Sequence, residues 1–203
     1  MSYPFTDSDI AIRNAYASLA ITAPVDLQTL CDAAGIRVRY QDAESASCPE
    51  RRRIVLDVNQ DRLTQREDWA HELAHVLLHC GPQLSLPTLF SDLQERQAHT
   101  LELYLLVPTH LLIPYLKNLQ PRIDTEAIGS IARHFDVSVA FAKRRWQKLQ
   151  SQIEAHRRQA ELSMVMETMP QYGRDYDSRL TIGSTEYFYR NGGVVFQRRA
   201  VQE

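Results

Sequence analysis

The chain has 203 residues, 44% of them hydrophobic and 24% charged, with a formal net charge of −2 at pH 7. That length can bury a sizeable core as one domain or two small ones, and the near-neutral balance argues against direct nucleic-acid or membrane-surface binding. No stretch approaches the roughly eighteen apolar residues of a membrane span, MSYPFTDSD is not a basic-then-apolar leader, and Cys31, Cys48 and Cys80 are odd in number and far apart, so the expectation is a cytoplasmic protein with free thiols.

Thr6, with Asp9 three residues on, has the form of a capping box and opens a helix predicted from Asp7 to Leu19. Beyond Pro24, Asp26 caps a short helix, DLQTLCDAA, which Gly35 ends. IRVRY at 36–40 alternates with period two and IVLDV at 54–58 is a second strand candidate, while the polar stretch 41–51, containing Pro49, is expected to be a loop. The next helix has a capping-box pattern at Thr64 and Glu67 and a stop at Gly81-Pro82. Residues 81–91, GPQLSLPTLFS, read as a loop that could rim a cleft, and Ser91 with Gln94 opens a second helix that Pro108 stops. A short helix starts at Thr109 and ends before Pro121, another covers TEAIGSIARHF, and Ser138 caps a long one reaching about Glu167. In the tail, EYFYRNGGVVFQ reads as a hairpin turning at Asn191-Gly192. The sum is a mainly helical α+β chain with a core at 1–108, a helical segment resembling a helix-turn-helix at 109–168, and a tail at 169–203 expected to dock on the body.

The helix before Gly81 carries WAHELAHVLLH, with His71, Glu72 and His75 in the pattern HExxH. Residues four apart lie one above the other on a helix face, so two imidazoles so spaced can share one zinc, and the Glu between them can reach a water on that metal. Trp69, Leu73, Val76, Leu77 and Leu78 would bury this helix with or without metal. They do not account for three ionisable groups on an apolar helix, which need partners when buried. A third protein ligand must come from elsewhere, and the following helix offers Glu95, with His99 and Glu102 on the same face. Glu95 is the first choice and Glu102 its rival. His99 is open between an outer residue that hydrogen-bonds a ligand, a competing ligand and a surface histidine.

AHELAHVLLH followed by ERQAHTLELYLLVP resembles the ImmA/IrrE family of zinc metallopeptidases, whose second helix has the form ExxAxxFAxxLLxP; the matching residues here are Glu95, Ala98, Leu105, Leu106 and Pro108. PVDLQTLCDAAGIRV and DTEAIGSIARHFDVS extend the resemblance over about residues 5 to 150. Leu101 replaces the usual Phe, His99 stands where Asn or Asp is common, and Glu102 occupies a position that is normally small and apolar. The resemblance implies a zincin-like core holding one zinc through His71, His75 and Glu95, with Glu72 as the catalytic carboxylate. It also implies a protein substrate, a helix-turn-helix repressor, and a place in stress response and transcription regulation.

In such a site Glu72 would take a proton from the attacking water and return it to the leaving amine. The oxyanion needs a donor besides the metal, and Tyr104, His134, Tyr187 and Tyr189 are the candidates. One rival reading is a non-catalytic zinc-containing regulator that binds a repressor or antitoxin. The other is a DNA-binding regulator, suggested by the helix, turn and helix of 124–150 with Lys143, Arg144, Arg145 and Lys148; against it, Val139, Phe141, Ala142 and Trp146 are apolar where a recognition helix exposes polar side chains.

Overall fold

The computed structural model describes residues 3, 5–79, 88–168 and 176–199. The chain divides into two compact units, Met1–Ile153 and Glu154–Glu203. In the first, helix α1 (Asp7–Ser18) starts on the expected capping box: the Thr6 hydroxyl accepts from the Asp9 amide at 3.2 Å and the Asp9 carboxylate from the Thr6 amide at 3.0 Å. Helix α2 (Leu27–Ala33) starts on Asp26, whose carboxylate accepts from the Gln28 amide at 3.0 Å. The chain leaves α2 through Gly35 at φ 65°, a left-handed conformation that glycine adopts without strain.

Strands β1 (Arg37–Gln41), β2 (Ala46–Cys48) and β3 (Arg53–Asp57) form a sheet of order β1-β3-β2, with β1 parallel and β2 antiparallel to β3. Val38 lies opposite Ile54 and Tyr40 opposite Leu56, so one face carries the apolar side chains, and Ile54 and Leu56 are completely buried. Residues 41–51 are therefore not all loop. An edge strand needs backbone partners on one side only, so the polar ASC segment can pair with β3, and Pro49 falls just beyond it in a 3-10 turn (Pro49–Arg51).

Helix α3 (Arg62–Leu78) starts three residues earlier than the capping-box pattern at Thr64 implies, because Asp61 caps it, accepting from the Leu63 and Thr64 amides at 3.0 and 3.2 Å. Glu67 is thereby released and accepts from the Ser138 amide at 2.6 Å instead. Helix α4 (Thr88–Leu106) likewise begins before Ser91, and the Gly81-Pro82 stop lies outside the described residues. Helices α5 (Thr109–Leu119), α6 (Asp124–Phe135) and α7 (Val139–Thr168) follow, and the Ser138 hydroxyl caps α7 by accepting from the Phe141 amide at 3.0 Å. The core of this unit is built from Tyr16, Leu73, Leu106, Ile131, Phe135 and Phe141, all essentially inaccessible to solvent.

The second unit contains the rest of α7 and an antiparallel meander, β4 (Ser178–Ile182), β5 (Thr185–Arg190) and β6 (Gly193–Arg199). The Asn191-Gly192 turn is present, with φ of 51° and 80°, but the hairpin gains a third strand. Arg179, Phe188 and Phe196 align across it, and Phe188 is buried between the rings of Tyr176 and Phe196. Among the described residues no helix is long and apolar enough to cross a membrane.

Candidate metal centre

Helix α3 lies against β2, β3 and α4. Ala70, Leu73, Ala74 and Val76 are buried, which fixes the helix in rotation and turns His71 and His75 toward α4. Ala98, with no side chain beyond Cβ and no exposed surface, lets the two helices approach closely there. His79 pairs with the Gln94 carbonyl, His75 and His71 with Glu95, and His71 with Glu102. Rising numbers on α3 meet falling numbers on α4, so the helices run antiparallel.

Three donor groups converge. The Nε2 atoms of His71 and His75 are 3.1 Å apart, and the two Glu95 oxygens lie 3.4 Å from one Nε2 each. Ligand bonds of about 2.0–2.1 Å at a tetrahedral zinc imply donor-to-donor edges of about 3.3–3.4 Å; each Glu95 oxygen meets that edge to one Nε2 atom, and the two Nε2 atoms lie slightly inside it. Two imidazole nitrogens this close also require a proton or a cation between them, since two lone pairs so placed repel. The residues therefore suit a divalent metal of the zinc type.

The other nitrogen of His71 is spoken for. Its Nδ1 lies 2.8 Å from a Glu102 oxygen, and the other Glu102 oxygen accepts from the Arg144 guanidinium at 2.7 Å. Glu102 is 3% exposed. Burial works to raise its carboxyl pKa, but the His71 hydrogen bond and the charges of Arg144, His71 and His99 outweigh it and hold the group below its usual value. An ionised carboxylate only accepts hydrogen bonds, so His71 carries its hydrogen on Nδ1 and turns the Nε2 lone pair toward His75 and Glu95. Burial pulls His71 down, yet the bond and charge of Glu102, with Glu72 and Glu95, raise it overall. His75 is lowered, by burial first and the neighbouring His71 second. Burial likewise raises Glu72, helped by Glu95 and Asp68 and opposed by His71, which brings that carboxylate nearer the range of a general base.

His99 is largely exposed, with its ring centre 4.6 Å from that of His71 and its Nδ1 3.5 Å from Glu102; His71, His99 and Glu102 form a second group whose donor atoms could meet a metal. Tyr104 is placed elsewhere: its hydroxyl accepts from Gln152 at 2.5 Å and the Arg145 guanidinium lies 4.6 Å over its ring. His134 stacks on Tyr115 at 3.9 Å. Tyr187 and Tyr189 belong to β5 of the second unit. Arg144 is the neighbour of the site that pattern reading passes over, because in sequence it is one member of a basic run far from the motif. The structure splits that run: Arg144 reaches Glu102, while Arg145 is fully buried, donating to the Val107 carbonyl at 2.9 Å and the Thr109 hydroxyl at 2.7 Å.

Comparison with known proteins places the chain in a family. The phage-like element PBSX protein XkdA of Bacillus subtilis (strain 168) is 34% identical over 138 residues, covering 66% of this chain and 68% of the relative. The uncharacterized protein YqaB of the same organism is 29% identical over 150 residues, covering 71% of this chain and 85% of the relative. The family model for the IrrE N-terminal-like domain, Peptidase M78, matches residues 31–147, a stretch that contains α3, α4, Glu102 and Arg144. The chain belongs to the Peptidase M78 family.

Proposed function

We propose that this protein is a zinc-dependent endopeptidase in which His71, His75 and Glu95 hold the metal and Glu72 is the general base. The observation that carries the reading is the meeting of three donor groups at 3.1–3.4 Å beside a half-buried carboxylate one residue from a ligand. A zinc held there would polarise a substrate carbonyl and bring the pKa of a bound water toward neutrality. Glu72 would take the proton from the attacking water and pass it to the leaving nitrogen. Glu102 keeps His71 in the tautomer that offers Nε2. Strand β2 lies at the edge of its sheet and against α3, where an extended peptide can add as a further strand.

The substrate we assign is a helix-turn-helix repressor. Support comes from the family resemblance and from a relative that bears the name of a phage-like element, since mobile elements are the setting in which such proteins resemble repressor-removing regulators. The alternative of a DNA-binding regulator loses Arg145, which is inside the core, from its basic run, and Arg144 is paired with Glu102.

The test combines metal content with cleavage. Elemental mass spectrometry on freshly purified protein should find near one zinc per chain, lost in Glu95→Ala. Wild type, but not Glu72→Gln, should cut a helix-turn-helix repressor taken from the same genome, with fragments identified by intact-mass measurement. Zinc binding without cleavage of any such repressor would favour the non-catalytic regulator. No zinc in wild type, even after the metal is added back, would sink the peptidase reading.

A further inference from the structure

Arg144 is the cation that faces the outer oxygen of a buried carboxylate whose inner oxygen faces a metal-ligand histidine. From that chain of contacts we infer that Arg144 is a positioning residue for the metal centre, acting through Glu102 on His71. The inference rests on the proposed role of His71, and it assigns work to a residue of the helix-turn-helix-like segment.

Glu102 has two oxygens and two principal partners, His71 Nδ1 at 2.8 Å and Arg144 at 2.7 Å, with exposed His99 at 3.5 Å on the His71 side. The Glu102 side chain is 4% exposed, so water does little to hold the carboxylate in one rotamer. Arg144 holds it. Its guanidinium is itself restrained, 5.0 Å over the Phe141 ring, and Phe141 is completely buried. Without Arg144 the carboxylate would lose the partner on its outer oxygen, and both its charge and its direction toward Nδ1 would be less constrained. The histidine would then be freer to rotate and to move its hydrogen to Nε2, the nitrogen that must face the metal. Partners of this kind typically tune metal affinity by about 10–100-fold.

The turn before α7 is anchored on α3. Glu67 accepts from the Ser138 amide, Arg66 donates to the Asp136 carbonyl at 3.0 Å, and Arg62 pairs with the Asp136 carboxylate. The base of α7 is thereby held to the same helix that carries His71 and His75, which keeps Arg144 in register with Glu102.

The experiment is a double-mutant cycle read as zinc affinity, by competition with a chromophoric chelator, on the full chain. Arg144→Gln should weaken zinc binding by about 10-fold and Glu102→Gln by 10–100-fold. In the Glu102→Gln background, adding Arg144→Gln should cost nothing more; with Glu102 intact, Arg144→Lys should lose less affinity than Arg144→Gln. Cobalt substitution supplies a spectroscopic check, with the ligand-field bands of Arg144→Gln shifted from wild type while those of Arg144→Lys lie between. Circular dichroism establishes that each variant is folded; should Arg144→Gln fail to fold, Arg144→Lys and Glu102→Gln still complete the comparison. Unchanged or tighter zinc affinity in folded Arg144→Gln, or additive losses in the double variant, would overturn the positioning role and leave the peptidase reading intact. A wild-type chain that takes up no zinc would overturn both.

Discussion

Glu72, half-buried, and Arg145, fully buried, show two ways in which an ionisable residue is kept away from water. Glu72 sits one position from a proposed ligand with its pKa raised by burial, which suits the role of base proposed for it. Glu72→Gln should retain zinc and lower peptidase activity by about 10²–10⁴-fold, measured as initial cleavage rate against metal content; equal rates in both proteins would remove Glu72 from the role of base. Arg145, by contrast, holds the fold. It is fully buried over the Tyr104 ring and donates to Val107 and Thr109, and the Thr109 hydroxyl in turn bonds Asp9. Arg145→Met keeps the volume but strands these acceptors, and should destabilise the fold by about 3 kcal/mol in urea unfolding. A change under 1 kcal/mol would mean that water replaces the guanidinium.

Among the elements, the attachment of the α6–α7 turn to α3 sets the pH behaviour we expect. Asp136 ends α6 in a left-handed conformation at φ 57°, which Asn also tolerates, so Asp136→Asn removes charge with little backbone cost. The Arg62 hydrogen bond, followed by the charges of Arg62 and Arg66, holds the Asp136 carboxyl below its usual value. A carboxyl lowered in the folded state contributes stability above its unfolded value of about 3.9, and that contribution disappears as pH falls through the folded value. Wild type should therefore unfold at higher urea than Asp136→Asn at pH 7, with the gap closing below about pH 4. High salt should narrow the gap as well, because the pair is partly solvent-exposed. A difference that stays constant down to strongly acid pH would exclude the ion pair as its source.

Across the whole molecule, the proposed site links metal binding to folding. Glu95 on α4 meets His71 and His75 on α3 only once the two helices are docked, so an unfolded chain cannot present the three ligands together. Free zinc at 100-fold over Kd should stabilise the protein by about 2.7 kcal/mol, seen as a rise in Tm, and a chelator should reverse it. A Tm insensitive to both would mean that the donors do not act as a single site.

Local chemistry in the chain already specified several of these features. Thr6, Asp26 and Ser138 cap their helices because a short polar side chain needs only the next turn of backbone to act. The HExxH spacing put His71 and His75 on one face for the same reason, since helical geometry decides it. The edge strand within 41–51 could not be read this way, because its hydrogen bonds go to β3 and its side chains carry no alternating signal. Nor could the helix start at Asp61 be separated from the pattern at Thr64 until Glu67 was found serving Ser138 across the fold. Glu95 and Glu102 share one face of α4, two turns and about 10 Å apart along it, and no property of that helix distinguishes them. Docking on α3 does, by placing Glu95 at the Nε2 atoms of His71 and His75 and Glu102 at the Nδ1 atom of His71. Arg144 joins them from 42 residues away. Backbone periodicity determined which residues could act together, whereas the register between helices decided which atom each one faces, because that register depends on packing surfaces far apart in the chain.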